Sequence, residues 1–208
     1  MFKKLFFTLV ICLFIKTNAQ DGTVSPYSYF GLGTFNPANT VENNAMGGLS
    51  IYGDSIHVNL QNPASYGLLK LTTYTVGVSH RRMALTSDTQ EKSTALTAID
   101  YLSVAMPIAE NIGIGFGITP VTSMGYILNS SAENANGETI TNVFSGDGGL
   151  SKIYFSLGAA PIKNFTVGAS AFANFGTVNK ERVQSLSSVL FGTIDRRTSR
   201  MNGFNFQM

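Results

Sequence analysis

Few residues of this 208-residue sequence have the type and spacing that catalysis or metal binding requires. His57 and His80 are its two histidines, and two histidines without cysteine partners make a poor zinc site. Asp147 lies in a Gly-Asp-Gly-Gly stretch, but one carboxylate falls far short of the roughly six to eight oxygens that calcium takes. The sequence contains no G-x-S-x-G elbow and no carboxylate pair suited to acid–base work. It therefore predicts neither an enzyme nor a cofactor, and it places Asp147 in a turn or bulge.

Composition excludes two further classes of protein. Charged residues make up only 12% of the chain, and the formal net charge is +2, so the basic surplus of a nucleic-acid-binding protein is missing. Arg81-Arg82 and Arg196-Arg197 are expected as solvated strand ends, with anionic lipid headgroups as the alternative contact. Hydrophobic residues reach 44% and aromatic residues 11%, which excludes a disordered chain. Such a chain is either deeply buried or not in water.

The first nineteen residues have the pattern of a secretory signal peptide. Lys3 and Lys4 precede an apolar run over 5–15, and Thr17-Asn18-Ala19 places small residues before a cleavage site. The run is too short for a membrane-spanning helix, which needs about 20 residues. We therefore predict export and cleavage after Ala19. Cleavage also removes Cys12, the chain's one cysteine, so no disulfide or catalytic thiol is expected.

The rest of the chain alternates with the period of β-strands. In the segment 112–120, four large apolar residues fall on one face and glycines with a threonine on the other. The apolar set is Ile112, Ile114, Phe116 and Ile118. Five further segments alternate in the same way, at 72–82, 96–106, 151–159, 165–177 and 200–208. Each is about ten residues long, the length of a tilted transmembrane strand.

The predicted connections are short at one end of the strands and long at the other. Short turns lie near 110 and 163, whereas polar links span 86–94, 129–138 and 179–197. This asymmetry is typical of outer-membrane barrels. A soluble β-sandwich is the alternative, but its outer faces carry charges, and here the second face carries Gly, Ser, Thr and Asn.

We therefore predict an all-β fold, a transmembrane antiparallel β-barrel in the outer membrane of a Gram-negative cell. Six strands are fewer than the eight or so of the smallest bacterial barrels. Residues 70–208 are accordingly expected to form only the first part of a barrel, either as a natural truncation or as an artefact of the gene boundary.

The segment 20–69 carries three motifs that precede the first predicted strand. They are Ser25-Pro26-Tyr27-Ser28-Tyr29-Phe30-Gly31-Leu32-Gly33, then Asn43-Asn44-Ala45-Met46-Gly47-Gly48, then Asn62-Pro63-Ala64-Ser65. Their order resembles the FadL-type outer-membrane transporters of hydrophobic compounds. That resemblance implies a barrel of about fourteen strands, with 20–69 as a hatch inside its lumen. It also implies that Gly47, Gly48, Asn62, Pro63 and Ala64 belong to the hatch.

Two positions of the predicted strands stand out. Proline cannot donate to a sheet ladder, so Pro120 marks an edge or a bulge, or else the strand ends there. The FadL resemblance implies that Pro120 and Gly125 form a kink in the barrel wall through which an apolar ligand leaves sideways. Asn62 before Pro63 is expected to cap a rigid turn, which in the functional interpretation anchors the hatch.

These observations lead to two functional hypotheses of different classes. The first is passive uptake of a hydrophobic small molecule, such as a fatty-acid-like or aromatic compound, with lipid and ligand as the only partners and no cofactor. The second is a barrel that serves in protein secretion or surface attachment, as in PorV-type relatives, with a secretion-system protein as partner, or a purely structural or adhesive barrel. An apolar, aromatic-lined passage would support uptake, and an exposed surface on the long connections would support a protein partner.

Overall fold

The computed structural model describes residues 23–86, 91–135 and 137–208, so the predicted signal peptide lies outside the described residues. The dominant element is one antiparallel sheet in which six long strands pair in chain order. These strands are β2 (Thr73–Thr86), β3 (Glu91–Ala109), β4 (Ile112–Glu133), β5 (Thr139–Ile162), β6 (Phe165–Leu186) and β7 (Thr193–Gln207). A two-residue strand, β1 (Thr34–Phe35), pairs with β4 beside this path. The predicted all-β class is confirmed.

The hatch covers one face of the sheet and leaves the other face open. It contains a 3₁₀ helix over Pro26–Tyr29, β1, a short helix α1 (Val41–Ala45) and a second 3₁₀ helix over Pro63–Leu68. None of the helices in the described part of the chain is long and apolar enough to cross a membrane. The main core lies between the hatch and the sheet. It consists of Val58, Leu60, Tyr66, Leu69, Tyr101, Ala105 and Tyr154.

Alternation along the strands separates the two faces, as the sequence predicts. On β5, Tyr154 points to the hatch and is 2% exposed, whereas the adjacent Phe155 is 52% exposed on the outer face. Large apolar residues on this outer face form a continuous belt across neighbouring strands. The belt includes Val76, Val104, Phe116, Phe155, Leu157, Val167, Phe175, Phe204 and Phe206.

The strands are much longer than their alternating apolar segments. β4 and β6 contain 22 residues each and β5 contains 24. Most of the predicted links at 129–138 and 179–197 are therefore strand, because polar residues on both faces of a strand leave no hydropathy period. The prediction of a turn or bulge at Asp147 is likewise wrong, since Asp147 is paired with both Gly125 and Asn179 in the middle of β5.

The long strands divide into two parts. Near the short turns, the outer face carries the apolar belt. Beyond it, β4 to β7 continue as a sheet with polar outer residues, which we call the extension. The extension comprises residues 122–133, 139–150, 176–186 and 193–202.

Candidate functional site

The Asn62-Pro63-Ala64 motif, which we call the anchor, packs the hatch against the sheet near the short turns. The Asn62 side chain accepts a hydrogen bond of 3.1 Å from the Ala64 amide and caps the second 3₁₀ helix. Pro63 is buried, and its backbone lies so close to Gly168 that a β-carbon there would overlap it. Gly158 makes an equally close contact with the Pro63 carbonyl. The motif thus lies where glycines of β5 and β6 admit the hatch backbone.

Tyr66 is the most deeply buried side chain of this contact, at 1% exposure. Its ring and its carbonyl oxygen occupy the space that β-carbons at Gly115 and Gly113 would fill. Its hydroxyl lies 3.5 Å from that of Tyr154. Burial away from water is the main reason that the pKa of Tyr66 is raised, so the phenol stays neutral.

Gly47 and Gly48 have a different role from the anchor. They follow α1 with φ angles of 75° and 81°, a region that side chains disfavour. Their amides satisfy the end of that helix by bonding to the carbonyls of Asn44 and Asn43, at 3.1 and 2.7 Å. Gly47 is exposed and Gly48 partly exposed, and a β-carbon at either position would meet no atom of the sheet within 4 Å, so they turn the hatch chain away from the sheet contact.

Pro120 lies where two neighbouring strands part. The pairing of β3 with β4 ends at Leu102 and Ile118, whereas the pairing of β4 with β5 continues to Glu133. A register shift between Pro120 and Thr122 marks a bulge, so the strand continues through the proline and does not end there. Whether this bulge is an exit for a ligand stays a prediction.

Beyond the bulge, the hatch takes the place of β3 along the edge of β4. Thr34 and Phe35 of β1 pair with Ser123 and Thr122, and the Asn36 amide donates to the Val121 carbonyl at 2.8 Å. These bonds satisfy backbone groups of β4 that no longer pair with β3.

Ser28 and Gly33 complete this edge, and sequence reasoning missed both. The Ser28 hydroxyl accepts a bond of 3.1 Å from the Gly125 amide and lies 3.2 Å from the Gly125 carbonyl. Gly33 has a φ of 100° and touches the Ser123 carbonyl, so a side chain would prevent this approach. The available signal was the run of glycines and aromatic residues at 25–33.

The gap between β3 and β4 is a polar window. A cavity of about 380 Å³ lies there, lined by Pro120, Ile99 and several polar side chains. Arg81 and Asp100 form an ion pair at 3.2 Å, and the Asn36 amide group donates to the Ser123 hydroxyl at 2.7 Å. A second cavity of about 410 Å³, with a more apolar lining that includes Val24, Leu85 and Leu128, lies further from the short turns.

The face under the hatch is also lined by polar groups in the middle of the sheet. Ser156 and Ser170 share a hydrogen bond of 2.6 Å, and Ser103 bonds to Tyr154. Lys152 is only partly exposed and lies 4.9 Å from the centre of the Phe172 ring. Hydroxyl groups, a cation and closely approaching glycines therefore lie beside the apolar core on this face of the sheet.

The outer face of the extension carries side-chain bonds from strand to strand. Asn179 donates to Asp147 and accepts from Thr198, both at 3.0 Å. Arg196 contacts Glu181 through two nitrogens, at 2.5 and 2.7 Å. These cross-strand pairs link β5, β6 and β7 on the outer face of the extension.

A family model for BamG matches residues 1–208, which is the whole chain. No curated protein and no solved structure is detectably similar to the chain. The predicted resemblance to FadL is therefore wrong. The motifs behind that resemblance were a stretch rich in aromatic residues and glycine and a capped turn before the first strand. Any family in which an N-terminal segment packs against a sheet can need such motifs, so they do not distinguish one family from another. The protein is associated with the outer membrane, and the chain belongs to the BamG family.

Proposed function

We propose that this protein is an outer-membrane barrel component that docks a protein partner outside the membrane. In this proposal residues 1–19 direct export, the belt of β2 to β7 faces lipid, the hatch stays seated, and the extension carries the docking surface. The length of the strands beyond the belt is the observation on which the proposal depends.

The belt has the height of a bilayer core. On β4 it covers the residues 112–120, which span roughly 30 Å along the strand at about 3.3 Å per residue. A tilt of about 40° reduces this to a height of roughly 23 Å, close to the apolar band of about 25 Å on transmembrane barrels. The belt side chains are exposed in the chain itself, which is costly in water and favourable in lipid.

The extension is too long to serve only as a connection. It continues for about as many residues as the belt, and its cross-strand pairs hold it as an ordered sheet. The β6–β7 hairpin carries an apolar tip, where Leu190 is 91% and Phe191 81% exposed. An ordered polar sheet with an apolar tip has the composition of a protein interface, in which a few apolar anchors lie within a polar rim.

The hatch supports a docking role better than an uptake role. Glycines of β4, β5 and β6 fit the backbone around Tyr66 so closely that this segment fills the space beside the sheet. The window at Pro120 is lined by apolar residues such as Ile99 and also by the Arg81–Asp100 ion pair and the Asn36 amide group, and an apolar solute would have to desolvate these polar groups.

Photo-crosslinking in intact cells tests the proposal. Benzoylphenylalanine is introduced at Thr198, on the outer face of the extension, and in a second strain at Phe206, on the belt. We expect a discrete protein adduct at Thr198 that Arg196→Glu abolishes, and lipid adducts alone at Phe206. A chain that reaches the outer membrane but gives no protein adduct at Thr198 would contradict the docking role.

Uptake of a hydrophobic small molecule is the second candidate, and the parting of β3 from β4 is the observation that favours it. If this gap is the exit, Pro120→Val restores a backbone donor and favours a straight, fully paired β4. We expect slower uptake of a radiolabelled hydrophobic compound together with higher thermal stability of the barrel. Unchanged uptake at normal surface expression would show that Pro120 only shapes the strand.

A further inference from the structure

The hatch face of the extension contains a cavity of about 440 Å³ that lies apart from the anchor and from the window at Pro120. Its apolar wall is a cluster of aromatic rings drawn from the hatch and from two strands. The Tyr29 ring lies 5.4 Å from Phe30, 5.3 Å from Tyr126 and 6.0 Å from Phe144, between ring centres. Phe30 is 70% exposed, so one ring of the cluster is available for a ligand.

Basic side chains also line the cavity, and neutral oxygens hold two of them. The Lys180 ammonium donates to the carbonyls of Tyr29 and Gly31, at 3.2 and 3.1 Å. Arg182 donates twice to the Asn142 side-chain oxygen, at 3.2 and 2.9 Å. Among the described residues, neither cation belongs to an ion pair.

The carboxylates that line the cavity are already paired with other cations. Asp195 contacts Arg197 at 3.2 Å, and Glu181 is held by Arg196. Three cations, Lys180, Arg182 and Arg197, thus line the cavity beside two carboxylates, and those carboxylates make their ion pairs with residues other than Lys180 and Arg182. Both cations also lie over aromatic rings, with Lys180 5.9 Å from the Tyr29 centroid and Arg182 5.5 Å from that of Phe144. Positive charge and ring faces are thus presented side by side.

We propose that this cavity binds a small organic anion in which a planar ring bears a carboxylate. The ring stacks against Tyr29 and Phe30, where offset or edge-on contacts are favourable. The carboxylate accepts charge-assisted hydrogen bonds from the donors of Arg182 and Lys180 that are not already bonded to protein oxygens. The cavity volume falls within the usual range of small-molecule sites, about 300–1,000 Å³.

Binding of 2-naphthoate to the full chain in nanodiscs made from its own membrane tests the proposal, with saturation-transfer NMR as the readout. 2-Naphthamide is the neutral control of the same shape, and acetate supplies the charge without the ring. We expect 2-naphthoate to bind about tenfold more tightly than either, because a charge-assisted hydrogen bond contributes about 1.5–3 kcal/mol.

Two variants separate the charge from the ring. Arg182→Gln should weaken 2-naphthoate about tenfold and leave 2-naphthamide unchanged, whereas Phe30→Ala should weaken both ligands. Arg200→Gln removes the same charge from the opposite face of β7 and should have no effect. If Arg182→Gln loosens the hatch in limited proteolysis, Arg182→Lys provides the second test, because it keeps the charge and should retain the preference for 2-naphthoate over 2-naphthamide. Equal affinity for 2-naphthoate and 2-naphthamide, or equal losses in the Arg182 and Arg200 variants, would overturn the proposal.

Discussion

Single residues decide how closely the hatch approaches the sheet. Four glycines contact the hatch at positions where no β-carbon fits, namely Gly113, Gly115, Gly158 and Gly168. The hatch can pack this closely only because these residues lack side chains. The sequence predicted the capped turn at Asn62, because a cap is a contact between near neighbours. It could not predict which glycines meet that turn, because these contacts join residues far apart in the chain.

Gly115→Ala is expected to unseat the hatch. The added β-carbon would overlap the fully buried Tyr66 ring, and overpacking of this kind costs about 1–3 kcal/mol. Limited proteolysis should cut the segment around Tyr66 faster than in the parent chain. Gly203→Ala is the matched control, since a β-carbon there meets nothing within 4 Å. Equal proteolysis of the two variants would mean that the hatch adapts at no cost.

The loop at Asp54 and His57 is expected to respond to pH. Burial of Asp54 opposes its charge, but bonds from the amides of His57 and Ile56 and from the His57 ring outweigh it, so the Asp54 pKa is lowered. The hydrogen bond to Asp54, 2.5 Å long, is the main reason that the His57 pKa is raised. A raised histidine pKa contributes stability below the unfolded pKa of about 6.5, and this contribution is lost as pH rises through the folded value.

NMR titration of the His57 ring tests this expectation. Its midpoint should lie above about 6.5 in the parent chain and fall in Asp54→Asn, where the carboxylate that favours the protonated ring is absent. The loop amides should exchange faster at pH 8 than at pH 6 in the parent alone, beyond the intrinsic effect of pH. A midpoint that does not change in Asp54→Asn would mean that the pair is not formed in solution.

Among the elements, β1 is the smallest and has the most specific position. Its two residues pair with Thr122 and Ser123 of β4, beyond the end of the β3 pairing, and Asn36 and Ser28 add bonds at Val121 and Gly125. Hydropathy predicted the apolar part of each long strand, because alternation is visible only where one face is apolar. It could not predict β1, which is too short to alternate, or the β6–β7 part of the extension, where polar residues lie on both faces.

Gly33→Val should detach β1 from β4. Valine is strained at a φ of 100°, and its side chain would collide with the Ser123 carbonyl. We expect hydrogen exchange at the amides of Asn36 and Gly125 to rise at least tenfold while the β5–β6 pairing stays protected. Gly31→Asn is the control, because asparagine tolerates a φ of 60° and the site is open. Unchanged protection at Gly125 would show that Ser28 holds this edge without β1.

In the whole molecule, strand pairing and outer-face composition both change at the boundary between the belt and the extension. β3 and β4 part at this boundary, and the hatch pairs with the freed β4 edge at residues 121–123, so backbone groups there are satisfied. The sequence predicted an all-β chain with large apolar residues along one face of its strands, because those residues alternate with small and polar ones. It could not show the ring-and-cation cavity, because Tyr29 is separated from Lys180 by most of the chain and neither residue lies in a recognisable motif.

Phe155→Lys is expected to impair insertion into the outer membrane. The residue lies on the belt, where lysine costs about 2–4 kcal/mol in the bilayer interior. Val143→Lys makes the same change on the same face of β5, but within the extension, and should insert normally. Cell fractionation with a heat-modifiability gel measures both. Normal insertion of the Phe155 variant would contradict the assignment of the belt to lipid.

The pairing of β1 with the β4 edge also bears on the order in which the segments of the chain fold. The hatch precedes all six long strands in the chain, yet its seat is built from β3 to β6, which are synthesised later. β3 and the hatch can compete for one β4 edge, so early zippering of β3 past Ile118 would lock the hatch out. Loop closures between such distant segments are slow. We therefore expect the bulge at Pro120, just beyond the last β3–β4 pair, to hinder further pairing of β3 and to leave the β4 edge free until the hatch packs against it.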